Sequence, residues 1–466
     1  MNENRDSSTL DSRDFDAEVK EIIEMVTERR YSKVRSTLLE HNAVDIAEFL
    51  EEINDELGLE REILVFRMLP KDVSVDVFSF LSEDNQVEII NGITQKETDQ
   101  IIKELAFDDM IDLLEELPAN IVDKILVKTT KEERSLINTF LNYPENSAGS
   151  LMTIDYVHLK KDMTVKECLQ HIKEVGEDAE TIYSCYVIGE GRHLIGIVSL
   201  KTLVMSDPDV VVSTIMHSDV MSVSVLTDQE EVSNMFKKYG LIAMPVVDRE
   251  GRLVGIITVD DILEVIDDET TEDFQRMAGV TGDSGDEYLE MSVWKHVRTR
   301  LPWLFILMCS YMITGGIIAR FENMLSAYIS LVTYMPMLMG TGGNSGSQSS
   351  TLIIRGLATD DVHLSDIFVV LWKEARIGFI VGLCLSALNF ARIIFLDHDT
   401  VGVGLTVCGA MLLIVIIAKC LGAMLPLLAK AVHIDPALMA GPVVSSLTDM
   451  MSLSIYFVFA SLVLGI

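Results

Sequence analysis

A single carboxylate lies in an apolar segment near the end of the chain. Asp449 is followed by seventeen uncharged residues. A carboxylate inside a membrane-spanning segment costs about 2.5–3.5 kcal/mol on insertion scales, and such residues by default mark the path of an ion. We therefore predict that Asp449 faces an ion pathway, and that Pro442, which lacks a backbone N–H, frees nearby carbonyls for the ion or its water. The alternative is a structural ion pair between Asp449 and Lys419 or another buried base.

The least lipid-like part of this apolar region is the sequence PMLMGTGGNSGSQSS at residues 336–350. It is not a phosphate-binding loop, because no Lys follows its glycines and no strand–helix context surrounds it. Two interpretations stay open. Gly342 and Gly346 are small residues four positions apart, which lets helices approach closely. Alternatively, the segment breaks a helix and lines a water-filled cavity, where irregular backbone is tolerated at membrane depth. The candidate lining residues are Asn344, Gln348 and Ser445.

A second concentration of carboxylates precedes the apolar region. Residues 260–273 hold eight Asp or Glu and no basic residue. Like charges three or four positions apart destabilise a helix by about 0.2–0.5 kcal/mol per pair, so stability alone does not explain the run. A solvated helix face would explain a generic acidic helix. This run leads directly into the apolar region, which favours a role in binding cations.

The available ligands restrict the kind of cation. Mg²⁺ takes oxygen ligands and loses its water reluctantly, so a wide site with few carboxylates and many waters suits it. One Asp449 per subunit at a dimer axis would supply two carboxylates to a hydrated ion. An oxygen-only site also admits Mn²⁺, Co²⁺ or Ni²⁺. The sequence has no His or Cys cluster for zinc or copper and no Ser/His/Asp or ATPase signature, so we predict that the protein is not an enzyme.

The negative charge is confined to the first 300 residues. The net charge is −35, and residues 1–300 hold 63 Asp and Glu against 30 Lys and Arg, whereas residues 301–466 hold 9 against 7. Such an acidic surface argues against nucleic acid or anionic lipid as a partner and fits a cation. No signal-peptide pattern opens the chain, so we do not expect the acidic part to be exported by a cleaved signal.

The apolar part contains five segments long enough to span a lipid bilayer. Basic residues flank the ends that we place inside, and the loop between the third and fourth segments holds Asp397, His398 and Asp399. By the positive-inside rule, residues 1–300 are cytoplasmic, and five spans put the C-terminus outside. The predicted segments are Leu301–Ala319, Asn323–Ile354, one centred on Ile377–Ala391, Thr400–Ala418 continuing to Ala429, and Ala440–Ile466.

The acidic part has two patterns. From Asp16 to Asn142 apolar residues recur at helical spacing, which predicts short stacked helices forming a solenoid. From residue 148 to 267 short β runs alternate with helices, and two copies of one hairpin pattern lie 59 residues apart. This repeat resembles a tandem CBS pair, a regulatory module that commonly binds adenine nucleotides or cations. Thr258-Val259-Asp260-Asp261 resembles the T-x-x-D motif that holds a ribose. The first copy has Ser199-Leu200-Lys201-Thr202 instead, so we expect at most one ATP site per chain.

The fold class predicted from these patterns is multidomain: an all-α N-terminal helical solenoid, an α/β tandem CBS pair and an α-helical membrane domain with five transmembrane helices. The predicted boundaries are a disordered tail at 1–15, the helical domain at 16–147, the first CBS domain at 148–212, the second at 213–267, a connecting (plug) helix at 268–297 and the transmembrane domain at 298–466.

This domain order resembles the MgtE family of magnesium channels over essentially the whole chain. Two membrane sequences carry the resemblance, one from Met335 to Gln348 and one from Asp435 to Asp449. The resemblance implies a homodimer whose pore lies at the subunit interface, with Asp449 matching the pore aspartate. It implies import of Mg²⁺ across the bacterial inner (plasma) membrane, with Mg²⁺ as both substrate and regulator. The regulatory ligands of the family match Asp76, Asp108, Asp112, Asp261, Glu264, Glu269, Glu272 and Asp273.

Two other functions remain open at this stage. One is a proton- or sodium-coupled secondary transporter for divalent cations, with Asp449 as the protonatable site. The other is a membrane receptor that senses a metal without transporting it. Unitary currents would indicate a channel, slow coupled flux a carrier, and the absence of both a receptor.

Overall fold

A computed structural model of the chain describes residues 12–177, 179–280 and 291–464. These residues form two compact units, of which the first ends at Val265 and the second begins at Ile266. Residues 1–11 of the predicted disordered tail lie outside the described residues, and a helix begins at Ser12.

The first part of the first unit consists of ten short helices, as the helical spacing predicts. Thr94 and Thr130 each open a helix with a capping box, in which the Thr side chain and a Glu three residues later satisfy exposed backbone N–H groups. Pro70 and Pro118 occupy the N-cap positions of two other helices. The helices are α1 Ser12–Thr27, α2 Tyr31–Leu38, α3 Ala43–Leu57, α4 Leu59–Phe66, α5 Lys71–Ser79, α6 Glu83–Gly92, α7 Gln95–Glu104, α8 Phe107–Glu116, α9 Ala119–Leu126 and α10 Lys131–Phe140.

The CBS repeat forms two three-stranded sheets with the same topology. In each sheet a parallel pair is followed by an antiparallel hairpin. Val187 pairs with Gly196 in the first hairpin and Val246 with Gly255 in the second, which preserves the offset of 59. The elements are β1 Tyr156–Lys160, α11 Val165–Val175, β2 Thr181–Ile188, β3 Leu194–Ser199, α12 Leu200–Met205, β4 Val223–Ser224, α13 Gln229–Tyr239, β5 Ala243–Val247 and β6 Leu253–Thr258.

The acidic run lies on one helix, α14, which spans Val259–Met277. The boundary between the two units falls within it. Of the predicted connecting helix at 268–297, residues 281–290 lie outside the described residues. The helices that follow are α15 Val293–Arg320, α16 Glu322–Ala327, α17 Ser330–Ala358, α18 Ile367–Phe395, α19 Val401–Ala431 and α20 Gly441–Leu464.

Four helical segments of the described residues are long and apolar enough to cross a membrane: Val293–Arg320, Leu364–Phe395, Val401–Ala431 and Pro436–Leu464. The helix α17 has 29 residues, but its Gly, Ser, Asn and Gln side chains keep it out of this group. The predicted count of five spans is therefore not confirmed, and a crossing by α17 stays a prediction.

The structure decides between the two interpretations of the glycine-rich sequence, and the expected effect of Pro442 is wrong. The helix α17 is continuous through Pro336 and the glycine-rich sequence. Close packing is confirmed instead, because a Cβ on Gly346 would lie 2.7 Å from Val444 Cγ1 and a Cβ on Gly422 would meet the carbonyl of Gly346. Pro442 is the second residue of α20, where a backbone N–H has no partner within the helix, so it costs no helical hydrogen bond.

Candidate functional site

An open cavity of about 510 Å³ lies between helices α17 and α20 in the second unit. Asp449 and Ser445, one helical turn apart on α20, line one side. Asn344 lies on the opposite side with the glycines of α17, and these small residues leave room for the cavity. Three of the residues singled out from the sequence thus share one space. The full lining is Val332, Met335, Pro336, Met339, Gly340, Gly343, Asn344, Ser445 and Asp449.

Asp449 has no hydrogen-bond or ion-pair partner among the described residues, although its side chain is only partly accessible. The alternative partner, Lys419, donates instead to Ser349 Oγ at 3.4 Å. The structural pair between Asp449 and Lys419 is therefore not formed. The Asp449 carboxylate thus presents its oxygens to the cavity, where they could bind a hydrated cation.

Gln348 does not line this cavity. It lies one turn beyond Asn344 on the same face of α17, and both side chains are exposed. The serines around it fasten α17 to other elements. Ser347 Oγ lies 3.4 Å from Ser445 Oγ, and Ser350 Oγ donates to the Met439 carbonyl at 2.8 Å.

A group of carboxylates, here called the first acidic cluster, gathers within the first unit. Four were predicted as regulatory ligands, two from the first turns of α8 and two from the start of α14. The structure adds Asp109 and Glu180 through their electrostatic effect on the others. The cluster consists of Asp108, Asp109, Asp112, Glu180, Asp261 and Glu264.

Five of these carboxyl groups have a raised pKa, namely those of Asp108, Asp109, Asp112, Glu180 and Asp261. Burial, followed by the charges of Asp261 and Glu180, raises the pKa of Asp108 to about 7. Burial and the charge of Asp108 raise the pKa of Asp109 to about 7. One oxygen of Asp108, Oδ1, is buried and has no hydrogen-bond partner among the described residues. Asp112 has an exposed side chain, yet the surrounding protein and the charges of Asp108 and Asp109 raise its pKa as well. Repulsion of this kind favours the arrival of a cation.

No three His, Cys, Asp or Glu side chains are close enough together to hold a metal ion directly in the part of the chain that the structure describes. The first acidic cluster would therefore bind a cation through water or after its side chains move. Mg²⁺ commonly keeps several of its waters, which suits such an arrangement.

The other predicted ligands on α14 belong to a second acidic cluster, which consists of Glu269, Glu272, Asp273 and Asp435 in the second unit. Asp435 lies directly before the short 3-10 helix that precedes α20 and accepts a hydrogen bond from the Ala437 N–H at 2.8 Å. Arg276 pairs with both Glu272 and Asp435. Burial, then the charges of Asp435 and Glu269, raise the pKa of Asp273.

Asp76 differs from the other predicted ligands. Its side chain is exposed on α5, and no hydrogen bond or ion pair of that side chain to either cluster occurs in the described residues. The structure therefore does not bring Asp76 together with the remaining seven.

The candidate nucleotide motif has its own internal contact. The Thr258 hydroxyl donates to Asp261 Oδ2 at 2.5 Å, and the Thr258 N–H lies 3.3 Å from the same oxygen. At the matching place in the first repeat, Ser199 Oγ lies 2.8 Å from Thr202 Oγ1. In both copies, a side chain at the start of a helix is hydrogen-bonded to the side chain three residues later. Only in the second copy is that later side chain a carboxylate.

Sequence reasoning missed three members of the two clusters. Asp109 follows Asp108 directly, so its position in the first turn of α8 was a usable signal. Asp435 stands before a proline at the start of a short helix, a position where Asp commonly serves as a cap. Glu180 directly precedes β2, and only the tertiary fold brings it close to Asp261.

Comparison with known proteins finds similarity over most of the chain. A family model described as a divalent cation transporter matches residues 335–459. The model of the MgtE intracellular N domain matches residues 41–146, and the CBS domain model matches 148–208 and 212–268.

Three relatives illustrate the similarity. The magnesium transporter MgtE of Thermus thermophilus is 38% identical over 450 residues, which cover 92% of this chain and 98% of that protein. The magnesium transporter MgtE of Bacillus subtilis is 34% identical over 76% of this chain and 78% of its own. A crystal structure of the cytosolic domain of the Mg²⁺ channel MgtE in complex with ATP is 35% identical, with a TM-score of 0.50, over 53% of this chain and 99% of that one. The chain therefore belongs to the MgtE family of divalent cation transporters.

Proposed function

We propose that the protein is a channel that imports Mg²⁺ across the bacterial inner membrane and that cytoplasmic Mg²⁺ closes it. The observation that carries this proposal is the position of Asp449, which faces the cavity between α17 and α20 without a protein partner among the described residues. A carboxylate kept unpaired in an apolar unit costs stability, so its retention fits a role in binding the transported ion. The names of the two relatives from Thermus and Bacillus support Mg²⁺ as that ion.

The open cavity fits a pore that two subunits share. One chain offers the cavity a single carboxylate, Asp449, together with the polar side chains of Asn344 and Ser445. A homodimer would place two Asp449 carboxylates across the axis, where they would hold a hydrated Mg²⁺ and leave its water shell largely intact. Residues 1–300 would then lie in the cytoplasm, and five spans including α17 would place the C-terminus outside.

The two acidic clusters are the proposed regulatory sites. Burial first, and then the charges of neighbouring carboxylates, raise the pKa values of Asp108, Asp109 and Asp273. Mg²⁺ would replace the repulsion between these charges with shared coordination and so favour the closed conformation. A ligand shifts such an equilibrium only by its difference in affinity between the two conformations. Asp76, which lies apart from both clusters, is the weakest member of the proposed ligand set.

ATP is a second proposed ligand, at the second CBS domain. The paired Thr258 and Asp261 side chains match the ribose-holding motif, and a solved MgtE cytosolic domain carries ATP. Asp261 also belongs to the first acidic cluster. ATP at Thr258 would therefore alter the cluster that binds the regulatory Mg²⁺.

Current recordings from inside-out membrane patches test the channel. We expect unitary Mg²⁺ currents that decline as cytoplasmic Mg²⁺ rises. The substitution Asp449→Asn keeps the shape of the side chain and removes its charge, so it should abolish or sharply reduce the current. Ser454→Ala is the matched control, because Ser454 Oγ bonds only to the Met450 carbonyl of its own helix.

Three results would contradict the proposal in different ways. Normal Mg²⁺ currents in Asp449→Asn would remove the pore assignment. Slow flux that depends on a proton or sodium gradient would favour the coupled transporter. Metal-dependent conformational change without any flux would favour a receptor.

A further inference from the structure

Two charged side chains are buried together in the second unit, away from the cavity at Asp449. Glu374 on α18 is 8% exposed and Lys419 on α19 is 5% exposed. Neither residue lines the cavity. Removing two charges from water is costly unless good geometry and further hydrogen bonds compensate for it. The arrangement of their partners therefore needs a specific explanation.

One hydroxyl group links the two charges. Ser349 Oγ donates to Glu374 Oε2 at 2.6 Å and accepts from Lys419 Nζ at 3.4 Å. No direct ion pair joins Glu374 to Lys419 in the described residues, so the serine completes the connection. A hydroxyl can donate and accept at the same time, which makes it suited to this bridging role.

The bridge reaches α17 behind its cavity-lining face. Ser349 lies five residues after Asn344, and at 3.6 residues per turn its side chain points roughly 140° away. It therefore faces α18 and α19 when Asn344 faces the cavity. The neighbouring turn is fixed as well, because the Gly346 carbonyl packs directly against Gly422 of α19.

From these contacts we propose that Glu374 and Lys419 are positioning residues, which through Ser349 hold α17 at the rotation and height that set the width of the cavity at Asn344 and Asp449. This inference rests on the proposed pore. A contact from Ser349 to Glu374 alone, or to Lys419 alone, would hold α17 against one neighbouring helix only. The bridge fastens it to two helices at once, and its two charges compensate each other within the apolar unit.

The test measures Mg²⁺ uptake by proteoliposomes that contain the full chain. Ser349→Ala removes the bridge and keeps both charges. Glu374→Gln and Lys419→Met each leave one buried charge uncompensated, whereas the double variant leaves none. Ser386→Ala is the matched control, because Ser386 Oγ joins α18 to the Cys408 carbonyl of α19 at 2.8 Å and has no hydrogen bond to α17 among the described residues.

A positioning role predicts altered selectivity as well as altered stability. We expect Ser349→Ala to raise the Mg²⁺ concentration for half-maximal uptake by about tenfold, as loss of a supporting group around a metal site commonly does. Discrimination between Mg²⁺ and Co²⁺ should weaken in parallel. The double variant should regain the folded yield that either single charge substitution loses, while keeping the altered half-saturation.

Unchanged half-saturation and selectivity in Ser349→Ala and in the double variant would overturn the inference and leave only a contribution to stability. Asp449→Asn is measured in the same series. If it transports normally, the proposed pore is wrong. If it fails while the Ser349, Glu374 and Lys419 variants match the wild type in half-saturation and selectivity, the pore stands and only the positioning role is lost.

Discussion

At the end of the acidic helix α14, the Arg276 guanidinium donates a hydrogen bond to Asp435 Oδ2 at 2.5 Å. The same guanidinium pairs with Glu272, so one cation compensates carboxylates from α14 and from the segment that precedes α20. Asp435 also caps the short 3-10 helix that precedes α20. This contact joins the end of the proposed sensor helix to the helix that carries Asp449, within one compact unit.

Substitution of Arg276 should make this junction depend on Mg²⁺. In Arg276→Gln, Glu272, Asp273 and Asp435 lose their fixed cation, and their repulsion should lower the melting temperature in a chelator. Because the ion pairs of Arg276 are partly exposed, we expect the free energy of unfolding to fall by about 1 kcal/mol at most. Added Mg²⁺ should restore most of it by taking the place of the guanidinium. The measurement is thermal melting of the solubilised protein, with and without Mg²⁺.

The control for this experiment is Arg252→Gln. Arg252 pairs with Glu250 in an exposed hairpin turn of the second CBS domain, which belongs to the first unit, whereas the second acidic cluster belongs to the second unit. Its loss should have a small effect that Mg²⁺ does not reverse. Equal deficits of Arg276→Gln in chelator and in Mg²⁺ would argue against a cation site at this junction.

Close packing of α17 against α19 predicts a second sensitive position. A Cβ on Gly422 would collide with the carbonyl of Gly346, which belongs to backbone and cannot turn aside. Gly422→Ala should therefore lower the free energy of unfolding by an amount typical of overpacking, about 1–3 kcal/mol, and with it the folded yield and the melting temperature. Gly315→Ala on α15 is the matched control, because a Cβ there meets nothing within 4 Å. Equal stability of the two variants would contradict the described packing.

The architecture was predictable because each domain has its own sequence pattern. Helical spacing marked the solenoid, and the 59-residue repeat marked the paired sheets, where Val187 and Val246 keep equivalent partners. The glycine-rich sequence was ambiguous for a physical reason. Glycines both break helices and allow them to touch, and only the presence of α19 and α20 beside Gly346 decides between these outcomes.

The site was predictable only in part. Asp449, Asn344 and Ser445 were found because polar groups are expensive in an apolar segment. The partner of Lys419 was not, since Ser349 and Glu374 lie 70 and 45 residues away in sequence and meet it only through helix packing. Glu180 escaped notice for the same reason, because no local pattern connects it with Asp261.

A buried carboxyl group in the solenoid gives a third prediction. Glu62 is 0% exposed, and neither of its side-chain oxygens has a hydrogen-bond partner among the described residues. Burial, then the charges of Glu51, Glu88 and Asp55, raise its pKa to about 8. Its neutral form is thus favoured in the folded protein. The contribution of protonated Glu62 to the stability of the folded state is complete below the ordinary pKa of Glu, and it is lost as the pH rises through about 8.

Local stability around α4 should therefore fall as the pH rises from about 4.5 to about 8 and level off above that. Hydrogen exchange of peptides from α3, α4 and α6, corrected for intrinsic rates, measures this change. Glu62→Gln cannot ionise, so it should flatten the pH dependence and protect these helices at pH 9. Glu132→Gln on the exposed side of α10 should keep the wild-type profile. A wild-type profile in Glu62→Gln would show that another group titrates.

The first acidic cluster predicts competition between Mg²⁺ and protons. A carboxylate must lose its proton before it binds a metal, and the pKa values of Asp108 and Asp109 lie at about 7. Below pH 7 these groups become increasingly neutral, so each proton that Mg²⁺ must displace raises the required Mg²⁺ concentration by about tenfold per pH unit. Limited proteolysis of the solubilised protein across a Mg²⁺ series should show protection that needs more Mg²⁺ at pH 6 than at pH 8. KCl at equal ionic strength screens charge without coordinating it and should protect poorly.

The variant pair that tests this competition is Asp108→Asn with Asp112→Asn, against Asp99→Asn as control. The double variant removes two members of the first acidic cluster, so protection by Mg²⁺ should weaken and lose most of its dependence on pH. Asp99 pairs with Lys128, and its pKa is lowered by that lysine, so it does not share the cluster's affinity for protons. Its substitution should leave the Mg²⁺ series unchanged at both pH values. Equal protection by KCl would contradict metal sensing by the first acidic cluster. A Mg²⁺ requirement that is the same at pH 6 and pH 8 in the unsubstituted protein would contradict the predicted competition between Mg²⁺ and protons at Asp108 and Asp109.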